Sequence, residues 1–429
     1  MQPYDASAKR APADGAAERS GRRSFLFLQG PLSPLYARVA NRLEVEGHAV
    51  SRINLCIGDR MHWRRAGAVD FRGRLDGFGD VVRRHIVAHG VTDLVMHGEC
   101  RAYHRIAAEA TAPAGVRVFV TELGYLRPDW LTVDRDGTAA ASSFPRDPHV
   151  IARLAEQSAP VELAPKYPSY FSRVAVPDVA YNLANTLLWF LHPHYQRHTI
   201  DWPPLEYAAW ITRLTTARTR NCRAERSIEE LIASGRPYFV FPLQLEGDFQ
   251  VRARSPFKGQ AEAIELVASS FAASAPPDAR LVLKTHPLDN GLIGWRRVVD
   301  EICARHEMAD RVLFLDGGNL GSIVDRARGV VTINSSAGLE AILAGTPAKT
   351  LAPALYDVTG LTHQGGLETF WNAPEMPDAV LATQFVRALT GSVLVRGTIY
   401  SRDGLDAAVR NVADAILTNR AERMIRNAN

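Results

Sequence analysis

Short apolar runs along the chain alternate with longer stretches in which apolar residues recur every three or four positions. The first example begins at Ser24, where the run SFLFL precedes a Gly-Pro loop and then Tyr36, Val39 and Leu43 at helical spacing. A short apolar run is typical of a buried strand, and helical spacing is typical of an amphipathic helix. Another apolar run near 50–58 completes a strand–helix–strand unit, which predicts a parallel sheet.

The same alternation recurs in two long parts of the chain. In the first part, apolar runs at 91–98 and 116–125 follow amphipathic stretches. In the second part, from residue 234 onward, four apolar runs alternate with helix-like stretches, and a long amphipathic helix is predicted at 404–427. Strands that alternate with helical patterns indicate βαβ units, so each part is predicted to form a doubly wound parallel sheet.

The segment between these two parts, at 161–233, has a helical pattern interrupted by a Pro-Pro pair. The predicted fold class is therefore α/β and GT-B-like, with two Rossmann-like doubly wound domains, a cleft between them and a helical connecting segment. Such folds bind ligands at the carboxyl ends of their strands. The predicted divisions are a disordered leader (1–23), an N-terminal Rossmann-like domain (24–160), the connecting segment (161–233), a C-terminal Rossmann-like domain (234–398) and a C-terminal helix (399–429) that packs back on the N-terminal domain.

Composition narrows the classes of protein that fit. The chain has 429 residues, a formal net charge of +4 and a pI of about 8.9, which suits an anionic small molecule or membrane surface better than nucleic acid. Its four cysteines are far apart and form no C-x-x-C pair, which argues against structural zinc and a disulfide framework. The sequence contains neither a dinucleotide-binding G-x-G-x-x-G nor a P-loop, and no apolar run reaches the length of about eighteen residues that a transmembrane helix needs.

The stretch INSSAGLEAILAG, at 333–345, is the first that indicates chemistry. An apolar strand runs into Asn334, Ser335 and Ser336, and a helix is predicted to start near Gly338. Hydroxyl groups and free backbone N–H groups at a helix N-terminus favour an anion such as phosphate. The alternative is an ordinary serine N-cap with Glu340 in the first turn.

The stretch LVLKTHPLDNG, at 281–291, ends a predicted strand on polar residues. Lys284 and His286 alternate along the strand, so both side chains point to one face, and Pro287 stops further pairing. A cation beside an imidazole donor would clamp a phosphodiester. The alternative is a strand end whose polar side chains are simply solvated.

Two further strand ends carry carboxylates. In FVFPLQLEGDFQ the strand ends at Gln244, and the loop carries Glu246 and Asp248. In FVTELGYLRPDW the strand is followed by Glu122 and Arg127. An acidic turn and a surface Glu–Arg pair are the respective alternatives. The D-x-D pattern at 134–136 is interpreted as a hairpin turn at Asp-Gly rather than as a metal site.

Taken in order, the motifs FLFLQGPLSPLYARVANRLEVEGHAV, TELGYLRPDWLT, PLQLEGDFQ, KTHP and NSSAGLEAILAGTP make the chain resemble capsule polysaccharide biosynthesis proteins of the KpsS/LipB type. This family is similar to retaining β-Kdo glycosyltransferases that use CMP-Kdo. The resemblance implies a transferase that places the first β-Kdo on lyso-phosphatidylglycerol and so initiates the poly-Kdo linker of a capsular polysaccharide. It also implies an N-terminal acceptor domain and a C-terminal nucleotide-sugar domain.

The resemblance assigns the donor side to the C-terminal domain. Asp248 is the implied catalytic carboxylate, and His286 the implied catalytic stabiliser of the departing phosphate. A double displacement would make Asp248 the nucleophile and Glu122 the base, and this division of roles between the two carboxylates stays open. The other implied donor-binding residues are Gln244, Lys284, Pro287, Asn334, Ser335, Ser336, Gly338 and Glu340. Because CMP is a good leaving group, no metal and no cofactor are expected.

On the acceptor side, Glu122 is the implied base that deprotonates the acceptor hydroxyl. Arg127, Gln29 and Gly30 are the implied contacts of the acceptor or of the Kdo carboxylate. The family's motif carries a second acidic residue in the sister branch, where this chain has Leu123. A role that needs both carboxylates is therefore not expected here.

The expected partners are CMP-Kdo, a lyso-phosphatidylglycerol-like lipid, the inner membrane surface and other capsule assembly proteins, but no nucleic acid. The expected location is cytoplasmic and peripheral on the inner face of the inner membrane. The segment 181–210 and the basic helix with Arg420, Arg423 and Arg426 are candidates for membrane contact. Three alternatives stay open: an elongating Kdo transferase, a non-catalytic assembly or export partner, and a GT-B enzyme that uses a UDP-sugar.

Overall fold

A computed structural model describes residues 21–197, 199 and 201–429. The predicted disordered leader lies mostly outside the described residues, at 1–20. Its last residue, Arg23, is ordered, contrary to the prediction. The Arg23 guanidinium donates to both carboxylate oxygens of the buried Asp93, and the Arg23 carbonyl accepts from the Ala49 N–H. The start of the first sheet is therefore fixed by an ion pair that the apolar pattern does not show.

Twelve strands and sixteen α-helices lie in the described ranges. The strands are β1 (Ser24–Phe27), β2 (Ala49–Asn54), β3 (Ala68–Asp70), β4 (Asp93–His97), β5 (Arg117–Leu123), β6 (Trp130–Arg135), β7 (Tyr238–Pro242), β8 (Arg280–Lys284), β9 (Val312–Leu315), β10 (Gly329–Thr332), β11 (Ala348–Thr350) and β12 (Leu394–Arg396). The helices are α1 (Leu35–Val45), α2 (Ile57–His62), α3 (Phe78–His89), α4 (Ala102–Thr111), α5 (Pro148–Glu156), α6 (Phe171–Leu187), α7 (Pro203–Ala233), α8 (Phe249–Arg254), α9 (Gln260–Ser274), α10 (Trp295–Arg305), α11 (Leu320–Val324), α12 (Ser336–Leu343), α13 (Leu367–Asn372), α14 (Ala379–Gly391), α15 (Arg402–Leu417) and α16 (Arg420–Ala428).

The chain divides into two compact units. The N-terminal unit comprises the described residues up to 145 together with 153–198 and 387–429, and the C-terminal unit comprises 146–152 and 199–386. The predicted connecting segment is shared between them, because α6 falls in the N-terminal unit and α7 in the C-terminal unit.

The sheet of the N-terminal unit has the order β12-β6-β5-β4-β1-β2-β3. Strands β1 to β5 are parallel, β6 pairs antiparallel with β5, and β12 pairs antiparallel with β6 at the edge of the sheet. Alternate residues of β1 enter different cores: Phe25 and Phe27 pack with α1 and α15, whereas Leu26 packs with α3 and α4. Burial on both faces explains why the strand reads as a continuous apolar run.

The sheet of the C-terminal unit has the order β11-β10-β7-β8-β9 and is parallel throughout. Numbered within each unit, both sheets therefore contain the strand order 3-2-1-4-5 of a Rossmann-like half. This confirms the predicted α/β class with two Rossmann-like units. In each sheet the strand order reverses beside the first strand, between β1 and β4 and between β7 and β10, and such a switch point is where open α/β sheets bind ligands.

Two local predictions differ from the structure. The long C-terminal helix breaks at Asn419, which adopts a left-handed backbone conformation (φ 47°) and separates α15 from α16. Asparagine tolerates this conformation better than most residues, which the amphipathic pattern cannot reveal. The hairpin predicted at Asp136-Gly137 is also wrong, because β6 pairs with β5 and β12 and a short 3-10 helix (Ala139–Ala141) follows the turn.

Candidate functional site

The switch point of the C-terminal unit joins the loops that follow β7 and β10. Gln244, which is only 4% exposed, donates from Nε2 to Oδ1 of Asn334 at 3.1 Å and to Oδ2 of Asp248 at 3.3 Å. Its Oε1 accepts from the Asn334 N–H at 3.3 Å. One buried amide therefore brings together three residues that the sequence assigned to the donor side.

Asp248 has two structural duties besides its contact with Gln244. It is the N-cap of α8, and its Oδ1 accepts from the Gln250 N–H at 2.8 Å. The Asp248 side chain is half-buried. With Oδ1 held by a helix N-terminus and Oδ2 by an amide, the carboxylate has a fixed orientation, as a preorganised nucleophile requires. Capping of α8 and a catalytic role are thus compatible at this residue.

Glu246, the other carboxylate of this loop, has a different task. Its Oε2 accepts from the Gln260 N–H at 3.0 Å, at the beginning of α9. The Gln260 side chain in turn binds the main chain of Gln244, with Oε1 accepting from the Gln244 N–H at 2.6 Å. Glu246 therefore secures α9 to the loop, and Asp248 is the carboxylate of this pair that is oriented by Gln244.

The N-terminus of α12 follows β10. Ser335 is its N-cap and accepts from the Ala337 N–H at 3.3 Å, while Ser336 is the first helical residue and is half-buried. Gly338 is required for packing, because a Cβ there would lie 2.4 Å from the hydroxyl of Tyr356. That hydroxyl donates to the Ser335 carbonyl. Glu340 is exposed.

The end of β8 lies directly beside the end of β7. Lys284 is 4% exposed, and its carbonyl accepts from the Leu243 N–H at 2.8 Å. Burial lowers the pKa of the Lys284 ammonium, and the nearby Asp316 carboxylate partly offsets this. His286 is half-buried, and its Nδ1 accepts from the Leu288 N–H at 3.0 Å. A neutral imidazole with this contact carries its proton on Nε2, which makes Nε2 a hydrogen-bond donor. Pro287 is exposed.

Sequence reasoning missed the ion pair that supports this strand end. Asp316 follows β9 and accepts a hydrogen bond from the Thr285 hydroxyl at 3.0 Å. Both of its carboxylate oxygens also accept from the guanidinium of Arg213 in α7, at 2.7 and 2.8 Å. Burial alone would raise the pKa of Asp316, but its bonds to Arg213 bring the pKa below the usual value. A cavity of about 560 Å³ is lined by these three residues together with Trp295 and Phe314. An aspartate directly after an apolar strand was the available signal.

The switch point of the N-terminal unit is built around Gln29. This side chain is 3% exposed; its Oε1 accepts from Arg101 at 2.8 Å, and its Nε2 lies 3.2 Å from Oδ1 of Asp59 and 2.6 Å from the hydroxyl of Tyr181. The amide is therefore fully engaged within the unit. Gly30 is required for close packing, because a Cβ there would lie 2.7 Å from the ring of Tyr36.

The thiol nearest to this cluster is Cys56. It is buried and lies 3.0 Å from the hydroxyl of Tyr181. Burial raises the pKa of the Cys56 thiol to about 12. The thiol therefore stays protonated at neutral pH and is a structural group rather than a nucleophile.

Glu122 lies near the end of β5, where the structure brings it close to a second carboxylate, Glu99, from the turn that follows the neighbouring strand β4. The Thr138 hydroxyl lies 2.7 Å from Oε2 of Glu122 and 3.1 Å from Oε2 of the buried Glu99. A hydroxyl has one proton to donate, so it bridges the two carboxylates rather than binding both fully. Arg127 is exposed and lies near Tyr400. Burial raises the pKa of the Tyr400 hydroxyl, and the positive charge of Arg127 partly offsets this.

The D-x-D stretch, which begins in the last residues of β6, contains a buried carboxylate. Asp134 has no solvent exposure and accepts from the Ser143 hydroxyl at 2.6 Å and from the Ser142 hydroxyl. Burial raises its pKa to about 6. Within the described ranges, no group of three or more histidine, cysteine, aspartate or glutamate residues has the geometry to hold a metal ion.

None of the helices in the described part of the chain combines the length and apolar character needed to cross a bilayer.

The predicted site residues fall into two sets. Gln244, Asp248 and Asn334 lie together at one switch point, with Lys284 on the adjacent strand. Glu122, Arg127, Gln29 and Gly30 lie in the N-terminal unit, and their roles stay predictions.

Comparison with known proteins identifies the family. The family model for capsule polysaccharide biosynthesis proteins matches residues 92–400. The capsule polysaccharide export protein KpsS of Escherichia coli is 29% identical over 379 residues, which cover 88% of this chain and 97% of that protein. The capsule polysaccharide modification protein LipB of Neisseria meningitidis serogroup A is 29% identical over 387 residues, 88% of this chain and 92% of that protein. Among solved structures, the β-Kdo 2,7 transferase KpsC of Thermosulfurimonas dismutans is similar at 17% identity and a TM-score of 0.44, over 92% of this chain and 100% of that chain. This chain belongs to the capsule polysaccharide biosynthesis protein family.

Proposed function

We propose that this protein is a retaining β-Kdo glycosyltransferase that transfers Kdo from CMP-Kdo to a lyso-phosphatidylglycerol-like acceptor and so initiates a capsule linker. The observation that carries the proposal is the cluster at the switch point of the C-terminal unit. There Gln244 orients the carboxylate of Asp248 and binds Asn334, beside the buried Lys284. A fixed carboxylate near a cation and a helix N-terminus suits a donor that is a phosphodiester of an acidic sugar.

In the proposed mechanism, Asp248 attacks the anomeric carbon of Kdo. The bond to the CMP oxygen breaks, and CMP leaves with the electron pair of that bond. The acceptor hydroxyl then displaces Asp248 from the same carbon, so two inversions give net retention. Glu122 of the N-terminal unit is proposed to take the proton of that hydroxyl.

The departing phosphate needs stabilisation rather than protonation, because CMP is a good leaving group. Donation from Nε2 of His286, the charge of Lys284 and the N-terminus of α12 at Ser335 and Ser336 are proposed to supply it. Gln244 is proposed to position these groups, since its amide nitrogen already donates hydrogen bonds to Asp248 and Asn334. Pro287, Gly338 and Glu340 are proposed to shape the nucleotide side.

The acceptor and the location follow from the same proposal. A lipid acceptor is presented at a membrane surface, so the protein is proposed to act in the cytoplasm, bound peripherally to the inner face of the inner membrane. Family membership supports a task in capsule biosynthesis. Arg127 is proposed to bind the carboxylate of Kdo or the acceptor phosphate.

The proposal is tested with in situ generated CMP-Kdo and a fluorescent lyso-phosphatidylglycerol, with the product identified by its mass. A product that carries Kdo on the lipid is expected, and CMP is expected to inhibit its formation while UDP is not. Transfer only to an acceptor that already carries Kdo would favour the elongating enzyme, and inhibition by UDP would favour a UDP-sugar donor. No transfer from CMP-Kdo to either acceptor, with a normal capsule in cells that carry Asp248→Asn, would favour a non-catalytic partner.

A further inference from the structure

Helix α6 of the N-terminal unit buries two polar side chains. Tyr181 is 4% exposed and packs so closely on α2 that a Cβ at Gly58 would lie 2.2 Å from its ring. Asn185, one turn further on, is also buried and accepts from the Gly58 N–H at 2.9 Å. The inward face of this helix is therefore made of a phenol and an amide, which bind the buried network around Gln29 and Cys56.

From Val176 onward, the exposed positions of α6 are all apolar. Four residues at helical spacing point to solvent, and a 3-10 helix (Trp189–Leu191) continues the apolar surface beyond the end of α6. We call this surface the α6 apolar stripe; its members and their exposed fractions are Val176 (64%), Val179 (43%), Leu183 (51%), Leu187 (63%), Leu188 (38%), Trp189 (62%) and Phe190 (58%). A solvated helix shows the opposite arrangement, with apolar residues inside, so the stripe indicates an interaction surface.

A basic segment flanks the stripe. Residues 60–74 contain five arginines and a single acidic residue, Asp70, and four of the five arginines are exposed. The segment begins in α2, on which α6 packs, and it is tied to the far end of the stripe as well. There the carbonyl of Phe71 lies 3.1 Å from Nδ1 of His192, directly after the 3-10 helix. Even with Asp70 paired to Arg60, the segment keeps a net positive charge.

We propose that the α6 apolar stripe docks on an anionic phospholipid bilayer, with the side chains of Trp189 and Phe190 in the interfacial region and the arginines of 60–74 on the lipid headgroups. Tryptophan at a membrane–water interface, aliphatic residues around it and basic residues beside them are the features of a peripheral membrane surface. The positive flank argues for negatively charged lipid rather than for a second copy of this chain, whose own flank would repel it. The inference rests on the proposed function in one respect: membrane docking would bring the enzyme to a lipid acceptor.

The test is co-sedimentation of the full chain with vesicles of phosphatidylcholine that contain about 30% phosphatidylglycerol, without any sugar donor. Wild-type protein is expected to sediment with these vesicles, less with pure phosphatidylcholine, and less at high salt. The double variant Trp189→Glu with Phe190→Glu is expected to lose about tenfold or more in partitioning, because two large apolar side chains no longer insert. Both positions are more than half exposed, so the core is untouched.

The matched control is Val45→Glu with Val87→Glu. These valines lie in α1 and α3 of the same unit and are 88% and 85% exposed, but they lie outside the stripe. The control is expected to bind vesicles like the wild type. Wild-type protein that stays in solution, or a stripe variant that binds equally well, would overturn the inference. So would a concentration-dependent dimer that the stripe variant abolishes, because the stripe would then belong to a second copy.

A separate arm distinguishes failure of this inference from failure of the proposed function. Transfer to a detergent-solubilised acceptor is measured for the wild type and the stripe variant, and both are expected to be active. Active protein that never binds vesicles refutes the docking surface and leaves the transferase proposal intact. Vesicle binding without transfer supports the docking surface and refutes the transferase proposal.

Discussion

The two switch points of this protein contain the same pair of residues, a glutamine and an aspartate, in different environments. Each has a buried glutamine two residues after its first strand, Gln29 after β1 and Gln244 after β7, and each glutamine holds an aspartate at 3.2 to 3.3 Å. Asp59, the partner of Gln29, is 2% exposed and lies 3.6 Å from the buried Arg52. Asp248, the partner of Gln244, is half-buried, and no ion pair to it is seen in the described ranges. One carboxylate is neutralised within the fold, and the other is oriented and left accessible.

The difference between the two aspartates indicates which of the two similar sheets carries the reactive carboxylate. A cover of two tyrosines, Tyr181 and Tyr195, closes the site at Gln29, and their hydroxyls lie within hydrogen-bond distance of its amide. At Gln244 the neighbouring polar groups are a half-buried asparagine and a helix N-cap. We therefore expect substitutions at Asp248 to change the reaction and substitutions at Asp59 to change stability.

The largest expected effect is that of Asp248→Asn. Asparagine caps helices as well as aspartate does, so α8 stays capped and the melting temperature changes little. The nucleophile is lost, however, and the transfer rate is expected to fall by about 10⁴-fold or more, as for other essential nucleophiles. The rate of Kdo transfer and thermal unfolding are measured on the same preparation. Glu246→Gln, two residues away, serves as the control and is expected to keep most of the activity. A variant Asp248→Asn with near-normal transfer contradicts the assignment.

Asp59→Asn reverses this balance. The change leaves the guanidinium of Arg52 buried without its counter-charge, and breaking a buried pair in this way costs about 3 to 5 kcal/mol. We expect a lower free energy of unfolding in urea, with the rate per folded molecule largely kept. Asp70→Asn is the control, because its pair with Arg60 is half exposed and such pairs contribute less than about 1 kcal/mol. If Asp59→Asn abolished transfer without loss of stability, the two switch points would both be catalytic.

Asp134 sharpens the comparison, because it is a buried carboxylate with hydroxyl partners instead of a cation. Its pKa is about 6 in the folded protein, against about 3.9 in an unfolded chain. The folded state therefore binds more protons between these values. The resulting stability is present below about pH 4 and is lost as the pH rises through about 6.

Asparagine at this position does not ionise. The free energy of unfolding of Asp134→Asn, relative to that of the wild type, should therefore rise by about 3 kcal/mol between about pH 4 and pH 8. Urea unfolding at the two pH values measures this difference. Asp80→Asn, at an exposed position, is expected to show no such trend. A difference between Asp134→Asn and wild type that is constant with pH would show that the pKa of Asp134 is the same in the folded and unfolded states.

The smallest predicted effect on the reaction belongs to His286→Gln. Loss of a donor to the departing phosphate is expected to lower kcat by about 10²-fold with a small change in KM. Steady-state kinetics separate the two constants. His306→Gln is the control, because His306 directly follows α10 and pairs with Glu265 of α9. An increase in KM alone would assign His286 to ground-state binding.

Apolar patterning predicted much of the fold, because strands buried on both faces and amphipathic helices leave clear periods in the sequence. The pairing of β12 with β6 was missed, since these two strands are more than two hundred residues apart and no local pattern encodes that contact. Position after a strand also led to Gln244 and Asp248, because the carboxyl ends of parallel strands share one edge of the sheet. The same rule could not distinguish Gln29 from Gln244, which differ in the residues that cover them and not in their own strands. Likewise, the sequence pattern gave no sign that Gly30 and Gly338 are also needed for packing, where a Cβ would meet the rings of Tyr36 and Tyr356.

The central claim is that Asp248 becomes covalently linked to the sugar. It is tested most directly by incubating the wild-type protein with CMP-Kdo in the absence of acceptor, followed by intact-protein and peptide mass spectrometry. The account predicts a mass increase of one Kdo unit on the peptide that contains Asp248, its disappearance when acceptor is added, and its absence in Asp248→Asn. Rapid transfer to the lipid with no adduct, or an adduct on another residue, would contradict it.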